Sequence, residues 1–266
     1  MRCIVINPLW RFRPLLAPLM VVTLEESGSQ AVKAQLKLRE LILAGTLPAG
    51  ARIAELTLVE LLGVSRTPIR AALIRLEQEG LLAALPNGGY AVRTFSETDV
   101  SDAIELRGTI EGLAVRLAAE RGASRKVLAQ SSACLDEIDA VLADTALSDE
   151  TFSAYVVLNH KFHSLLGALA GSDVLSRELD RLSSQPFASP SGFVGVQSNT
   201  PQARDMLIVA QHQHRQVLTA IALREGARAE ALMREHSRLA QTNLREAMRS
   251  PQASAMPGVQ LIRQRG

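Results

Sequence analysis

Between residues 30 and 93 the apolar positions first repeat with a helical period and then alternate as in strands. A first helix is predicted over 30–44, stopped by Gly45, a residue able to take the left-handed conformation that closes helices. Leu47-Pro48-Ala49-Gly50 reads as a turn. A short second helix follows over 57–62, with Thr57 as its N-cap and Gly63 as its stop. In the third helix Ser65 stands at the N-cap and Pro68 in the first turn, where its missing N–H is no loss. Ile69, Ala72, Leu73 and Leu76 then recur at i, i+3, i+4 and i+7, the stripe of a buried face, and Gly80 ends the helix. Residues 81–85 and 90–93 read as strands joined by Pro86-Asn87-Gly88-Gly89, and Asn-Gly is a strong hairpin signal. Three helices, the last two joined by a tight glycine turn, and a hairpin after them make a winged helix-turn-helix over residues 29–93.

After Arg93 the period is helical throughout. Ser96 and Asp99 form a capping-box start, and helices are predicted near 97–121, 124–144, 149–170, 172–184, 202–224 and 226–249. The Ser-, Pro- and Gly-rich stretch 185–200 is expected to be a loop. The fold class is therefore mainly α: an N-terminal winged helix-turn-helix and, over 97–249, a C-terminal antiparallel all-helical bundle. Residues 1–28 are expected to be a disordered or mis-started leader, with Met20 as an alternative start, and residues 250–266 a disordered tail. The apolar run at the start is broken by Pro8, Arg11, Arg13, Pro14 and Pro18, so it does not offer the roughly 20 apolar residues a bilayer span needs. Aromatics are 3% of the chain against 47% hydrophobic residues, which leaves a core built of Ala and Leu. Cys3 and Cys134 are far apart without a paired spacing, which argues against a disulfide framework and a cysteine zinc site and points to the cytoplasm.

The formal charge of +2 hides an asymmetry: residues 1–93 carry 11 basic against 7 acidic residues, residues 97–249 carry 16 against 20. A basic front half suits a polyanion. Arg66 and Arg70, four apart at the start of the third helix, project from one face with Thr67 beside them. Arginine forks onto guanine, hydroxyls such as those of Ser65 and Thr67 reach phosphates, and the helix N-terminus favours a phosphate. The alternative is a merely solvated face. A place ahead of a wing favours double-stranded DNA.

In the bundle, Asn159 and His163 lie one turn apart, His214 is in phase with Leu207, Ala210, Val217 and Ile221, and His236 with Leu232, Met233 and Ala240. A lone inward histidine is usually a hydrogen-bonded core residue. Three on separate helices, with an amide oxygen, suit a divalent transition metal, Zn²⁺ or Ni²⁺. His160 and His212 fall away from that line, at the surface or beside the ligand set. Neutral ligands leave the cation's charge unbalanced, so a small carboxylate effector is expected beside it, with Arg107 as its clamp; a structural ion pair between Arg107 and Glu111 is the equal alternative.

The stretch Leu61-Leu62-Gly63-Val64-Ser65-Arg66-Thr67-Pro68-Ile69-Arg70-Ala71-Ala72-Leu73, with Arg75-Leu76-Glu77 and Glu79-Gly80-Leu81, resembles the GntR family of winged-helix repressors. The resemblance implies a homodimer on a short palindromic operator, with Ser65, Arg66, Thr67 and Arg70 in the major groove and Asn87, Gly88 and Gly89 at the wing tip in the minor groove. The family often carries a basic residue in the wing turn, and this chain has none there, so the resemblance implies a backbone-mediated contact. Glu105-Leu106-Arg107, Glu111, Asn159, Phe162-His163, His214 and His236 resemble the FCD effector domain of the FadR subfamily, in which Asp is usual at the position of Asn159. A cytoplasmic, effector-responsive repressor is expected, with no membrane partner and no enzymatic activity. The competing readings are a metal-dependent helical hydrolase or oxygenase, and a DNA-binding protein whose histidines merely fill the core.

Overall fold

The computed structural model describes residues 17–143, 148–190, 203–249 and 258–263, with side chains described from residue 30 onward except at 149, 203 and 247. The N-terminal part comprises α1 (Ala17–Leu43), β1 (Arg52–Ile53), α2 (Glu55–Leu62), α3 (Arg66–Gln78), β2 (Leu82–Ala84) and β3 (Tyr90–Val92). Its strands form an antiparallel sheet in the order β1-β3-β2, with Arg52 opposite Ala91 and Leu82 opposite Val92. The predicted stripe of α3 is buried: Ile69, Ala72, Leu73 and Leu76 are fully enclosed with Leu38 and Ile42 of α1. Each such leucine or isoleucine contributes about 1.5–3 kcal/mol of apolar burial.

A short strand β4 (Phe95–Ser96) leads into α4 (Glu97–Arg121), and α5 (Arg125–Leu142), α6 (Asp149–Leu169), α7 (Asp173–Ser183), α8 (Ala203–Ala222) and α9 (Gly226–Arg249) complete the bundle. Ser96 and Asp99 form the expected reciprocal cap on α4. Along α4 and α9, Glu105 meets Arg234 and Gln241, and Arg116 meets Glu230, so the two helices run antiparallel. They approach closely where Gly108 faces Ser237: a Cβ on Gly108 would lie 2.2 Å from the Ser237 hydroxyl. Val115, Leu135, Phe162, Val217, Ile221 and Met233 fill the bundle's core. Among the described residues no helix is long and apolar enough to cross a membrane.

The two parts share a core. Val100 and Ile104 of α4 and Ala240 and Leu244 of α9 are buried together with the α1 and α3 leucines of the winged domain. A third strand of chain joins them. Residues 258–263 form a 3-10 turn (Val259–Leu261) and β5 (Ile262–Arg263), which pairs in parallel with β4. Gly258 N–H and Gln260 Nε2 both donate to Leu43 O, at 2.8 and 2.9 Å, and Val259, Leu261 and Ile262 are buried.

The tail expected to be disordered over 250–266 contains this ordered segment; its three apolar residues are too few to establish a period, and the positive φ of Gly258 (83°) sets the turn that docks them. Residues 250–257 and 264–266 of that tail, and 1–16 of the expected leader, lie outside the described residues. The backbone of 17–28 is helical and continuous with α1, Pro18 being tolerated in a first turn. Helix α2 begins at Glu55, with Ala54 rather than Thr57 at the N-cap, an acidic residue in the first turn matching the helix dipole. Ser65 holds the N-cap position of α3, but its side chain makes no capping bond.

Because Leu261 is fully buried between the two parts, Leu261→Ala is expected to lower unfolding stability by about 2–5 kcal/mol. Urea denaturation of the full chain measures it. Unchanged stability would mean that the tail segment does not dock.

Candidate nucleic-acid interface and metal centre

The N-terminus of α3 lies open to solvent. Ser65, Arg66, Thr67 and Arg70 are all exposed, while Pro68 and Ile69 between them are buried, so the helix is anchored by one face and presents the other. Arg66 has no carboxylate partner among the described residues. Arg70 Nε donates to Glu55 Oε2 at 2.9 Å, an exposed pair of small energetic weight. At the hairpin tip Asn87, Gly88 and Gly89 are exposed as well. Gly88 N–H donates to Leu85 O and Leu85 N–H to Gly89 O, both at 2.9 Å, and the two glycines supply the positive φ angles (82° and 85°) this turn requires.

Inside the bundle, α6, α8 and α9 bring His163, His214 and His236 together, all buried, with one ring nitrogen from each within 4.8 Å of the others. Each ring is aimed by a bond at Nδ1. His163 Nδ1–H donates to Glu111 Oε1 at 2.7 Å, His214 Nδ1–H to Gln211 Oε1 at 3.2 Å and His236 Nδ1–H to Gln213 Oε1 at 3.1 Å. Gln211 is itself fixed, since its Nε2 donates to Leu135 O and Asp139 Oδ1, which leaves its oxygen for the histidine. The three Nε2 atoms therefore converge as lone pairs. His163 Nε2 is buried with no hydrogen-bond partner, and the Nε2 atoms of His214 and His236 face each other at 3.1 Å, an arrangement that a shared cation relieves. The donor set fits a borderline metal such as zinc or nickel.

Asn159, one turn before His163 on α6, is buried and lines a cavity with Arg107, Tyr155, His236, Leu239 and Asn243. The cavity volume is about 30 Å³, room for a water-sized group. Arg107 and Glu111 are each 1% exposed and form an ion pair, Nη1 to Oε2 at 2.7 Å. The ion-pair alternative is thus realised, and Arg107 also faces the cavity with its Nε unsatisfied. Burial alone would raise the Glu111 pKa; the charge of Arg107, the neighbouring His163 and the hydrogen bonds from both outweigh it and bring it down to about 2. Burial lowers the His214 pKa well below its ordinary value. The His236 pKa falls to about 3, through burial above all, with His163 and Arg107 adding to it and Glu111 opposing. Burial also keeps the Tyr155 phenol protonated as a donor. His160 and His212 are exposed.

Two family models match the chain: "Bacterial regulatory proteins, gntR family" over residues 30–92 and "FCD domain" over 102–239. The chain belongs to the GntR family, with an FCD domain as its C-terminal half. This GntR-family chain is 31% identical to the HTH-type transcriptional repressor GlaR of Escherichia coli K12, over 70% of its own length and 81% of that protein. It is 34% identical to the HTH-type transcriptional regulator YdhC of Bacillus subtilis, over 49% of its length and 56% of that protein. In fold it is similar to E. coli McbR/YncC, with a TM-score of 0.59 and 19% identity over 82% of this chain and 98% of that one. It is a DNA-binding transcription regulator and not an enzyme.

The structure buries His163, His214 and His236 together on the faces their spacing predicts, while the groups that hold the rings are not evident from spacing. The glutamines alternating with histidines in Gln211-His212-Gln213-His214 were the available signal. Arg52, whose Nη2 donates to Gly88 O at 3.1 Å, was also missed, because β1 is too short to show a period.

In metal-free regulator, His236 binds a proton more weakly when folded than unfolded, so the stability this confers is present above about pH 6.5 and is lost as pH falls toward 3. Glu111, with its pKa lowered from 4.5 to about 2, adds stability that is lost between those values. Melting temperature of chelator-treated protein is expected to hold above pH 7 and fall steadily below 6.5, less steeply in His236→Gln. A flat profile down to pH 4 would show that these groups are not buried as described.

Proposed function

We propose that this regulator is a ligand-responsive repressor that binds a palindromic operator as a dimer and is released by a small carboxylate entering the bundle beside a bound divalent metal, zinc or nickel. The single observation that carries the sensing half is the convergence of three histidine Nε2 atoms whose Nδ1–H groups are each held by a separate acceptor. His163, His214 and His236 would hold the metal, with Asn159 as a further oxygen donor. Bound there, the metal supplies a positive charge and an open coordination position for an anion.

The charge count supports the carboxylate. Glu111 is balanced by Arg107, so three imidazoles and an amide leave a divalent cation uncompensated in an apolar bundle. Arg107 and Tyr155 add donors to the same cavity. Its small volume means that an organic acid must displace a wall, which includes Leu239 and Asn243 of α9. That helix continues into the shared core: His236 lies one turn from Ala240, as Arg107 on α4 lies one turn from Ile104. A shift of either helix is felt by the winged domain, which is how binding in the bundle biases the spacing of two recognition helices.

Exposure of Ser65, Arg66, Thr67 and Arg70 supports the DNA-reading half. On a duplex selected by the protein from a randomised library, Arg66→Ala is expected to cost about 1–3 kcal/mol of specific binding. Unaltered affinity of the Arg66→Ala/Arg70→Ala protein in a mobility-shift assay would remove α3 as the reading element.

Elemental analysis of protein purified without a nickel column tests the metal. Near-stoichiometric zinc or nickel is expected, lost in His214→Ala, and Asn159→Asp is expected to tighten the metal while weakening organic acids in calorimetric titration. Metal-free protein that shows no thermal shift with added Zn²⁺ or Ni²⁺ would make the histidines structural.

A further inference from the structure

The wing tip lacks a charge of its own. Leu85, Pro86, Asn87, Gly88, Gly89 and Tyr90 include no basic side chain. A neutral tip offers a duplex little besides backbone dipoles, although the minor groove and its phosphates are strongly negative. Arg93, the nearest cation in sequence, is turned back: its guanidinium lies over the Phe95 ring, 5.0 Å from the centroid, and close to Gly80 at the hairpin's base.

Arg52 reaches the tip from the neighbouring strand. In β1 its partner Ile53 points into the core, so Arg52 points outward, opposite Ala91 of β3. Its Nη2 donates to Gly88 O at 3.1 Å, and the side chain is exposed. Among the described residues no carboxylate pairs with it. One donor of the guanidinium is thus spent on Gly88 O at the turn, and the group carries four further N–H donors. A guanidinium held in place in this way loses little freedom when it meets a second acceptor.

We propose that Arg52 is the wing's cation: it braces the turn through Gly88 and delivers its charge to duplex DNA at the minor groove where the tip enters. This rests on the DNA-reading role of α3 proposed above. The charge that a wing turn could carry itself is here supplied from the adjacent strand.

The test uses the full-length protein, the duplex it selects from a randomised library, and fluorescence anisotropy between about 50 and 200 mM salt. Arg52→Gln removes the charge while keeping a polar amide on the same face of β1. It is expected to weaken binding roughly tenfold in the dimer and to lower the salt slope by about one phosphate contact per protomer, with an unchanged melting temperature. Adding Asn87→Lys to Arg52→Gln returns a cation to the tip at an exposed position and is expected to restore both the affinity and the slope. Wild-type affinity and slope in Arg52→Gln would overturn the proposal. So would a loss that Asn87→Lys does not restore, since Arg52 would then act by shaping the turn. Arg66→Ala/Arg70→Ala, measured alongside, separates the two readings: its loss with an intact Arg52→Gln removes Arg52 alone, and its retention removes the assignment of α3.

Discussion

Arg107 and Glu111 are buried one turn apart on α4, and the site is arranged so that neither charge stands alone. Glu111 accepts from Arg107 with one oxygen and from His163 with the other. Removing one member of such a chain strands a charge in an apolar bundle, typically at about 3–5 kcal/mol, so the three side chains fix one another's positions. The same bond that satisfies Glu111 holds the His163 ring with Nε2 toward the other two histidines. Gln211 and Gln213 do for His214 and His236, with neutral amides, what Glu111 does for His163. An ion pair that in isolation would be weak support for stability therefore orients one ring of the histidine cluster.

On the proposed function, that arrangement also links the candidate site to the winged domain. Helices α4 and α9 are packed closely enough at Gly108 and Ser237 to exclude a methyl group. Each carries a site residue and, one turn away, a residue of the winged domain's core: Arg107 then Ile104, and His236 then Ala240. Both helices are unbroken between those residues. The docked segment 258–263 adds a further connection, pairing with β4 and capping the end of α1 at Leu43. Closely packed helices with few alternative arrangements convert a small displacement at the site into reorientation of what is attached to them.

Most of this was legible wherever periodicity reports burial. The stripe of α3, the cap at Ser96 and Asp99, and the inward phase of His163, His214 and His236 follow from spacing alone, because a side chain's face on a helix is set by its number. What spacing cannot show is which polar groups meet across helices. Glu111 and His163 are on different helices, and their bond depends on the packing of α4 against α6. Arg52 and Gly88 are brought together by a strand of two residues. The tail was unreadable for a related reason: Val259, Leu261 and Ile262 are apolar at a spacing that belongs to no regular element until Gly258 turns them inward.

Glu111, Gln211 and Gln213 hold the three rings by Nδ1–H, which leaves Nε2 of each for the one metal ion proposed there. Long-range ¹⁵N–¹H correlation spectra of the protein loaded with one equivalent of zinc test it directly. All three imidazoles are expected to be protonated at Nδ1 and to show the metal-bound ¹⁵N shift at Nε2. Coordination through Nδ1 at any of the three, or Nε2–H on a ring in the zinc-loaded protein, would contradict it.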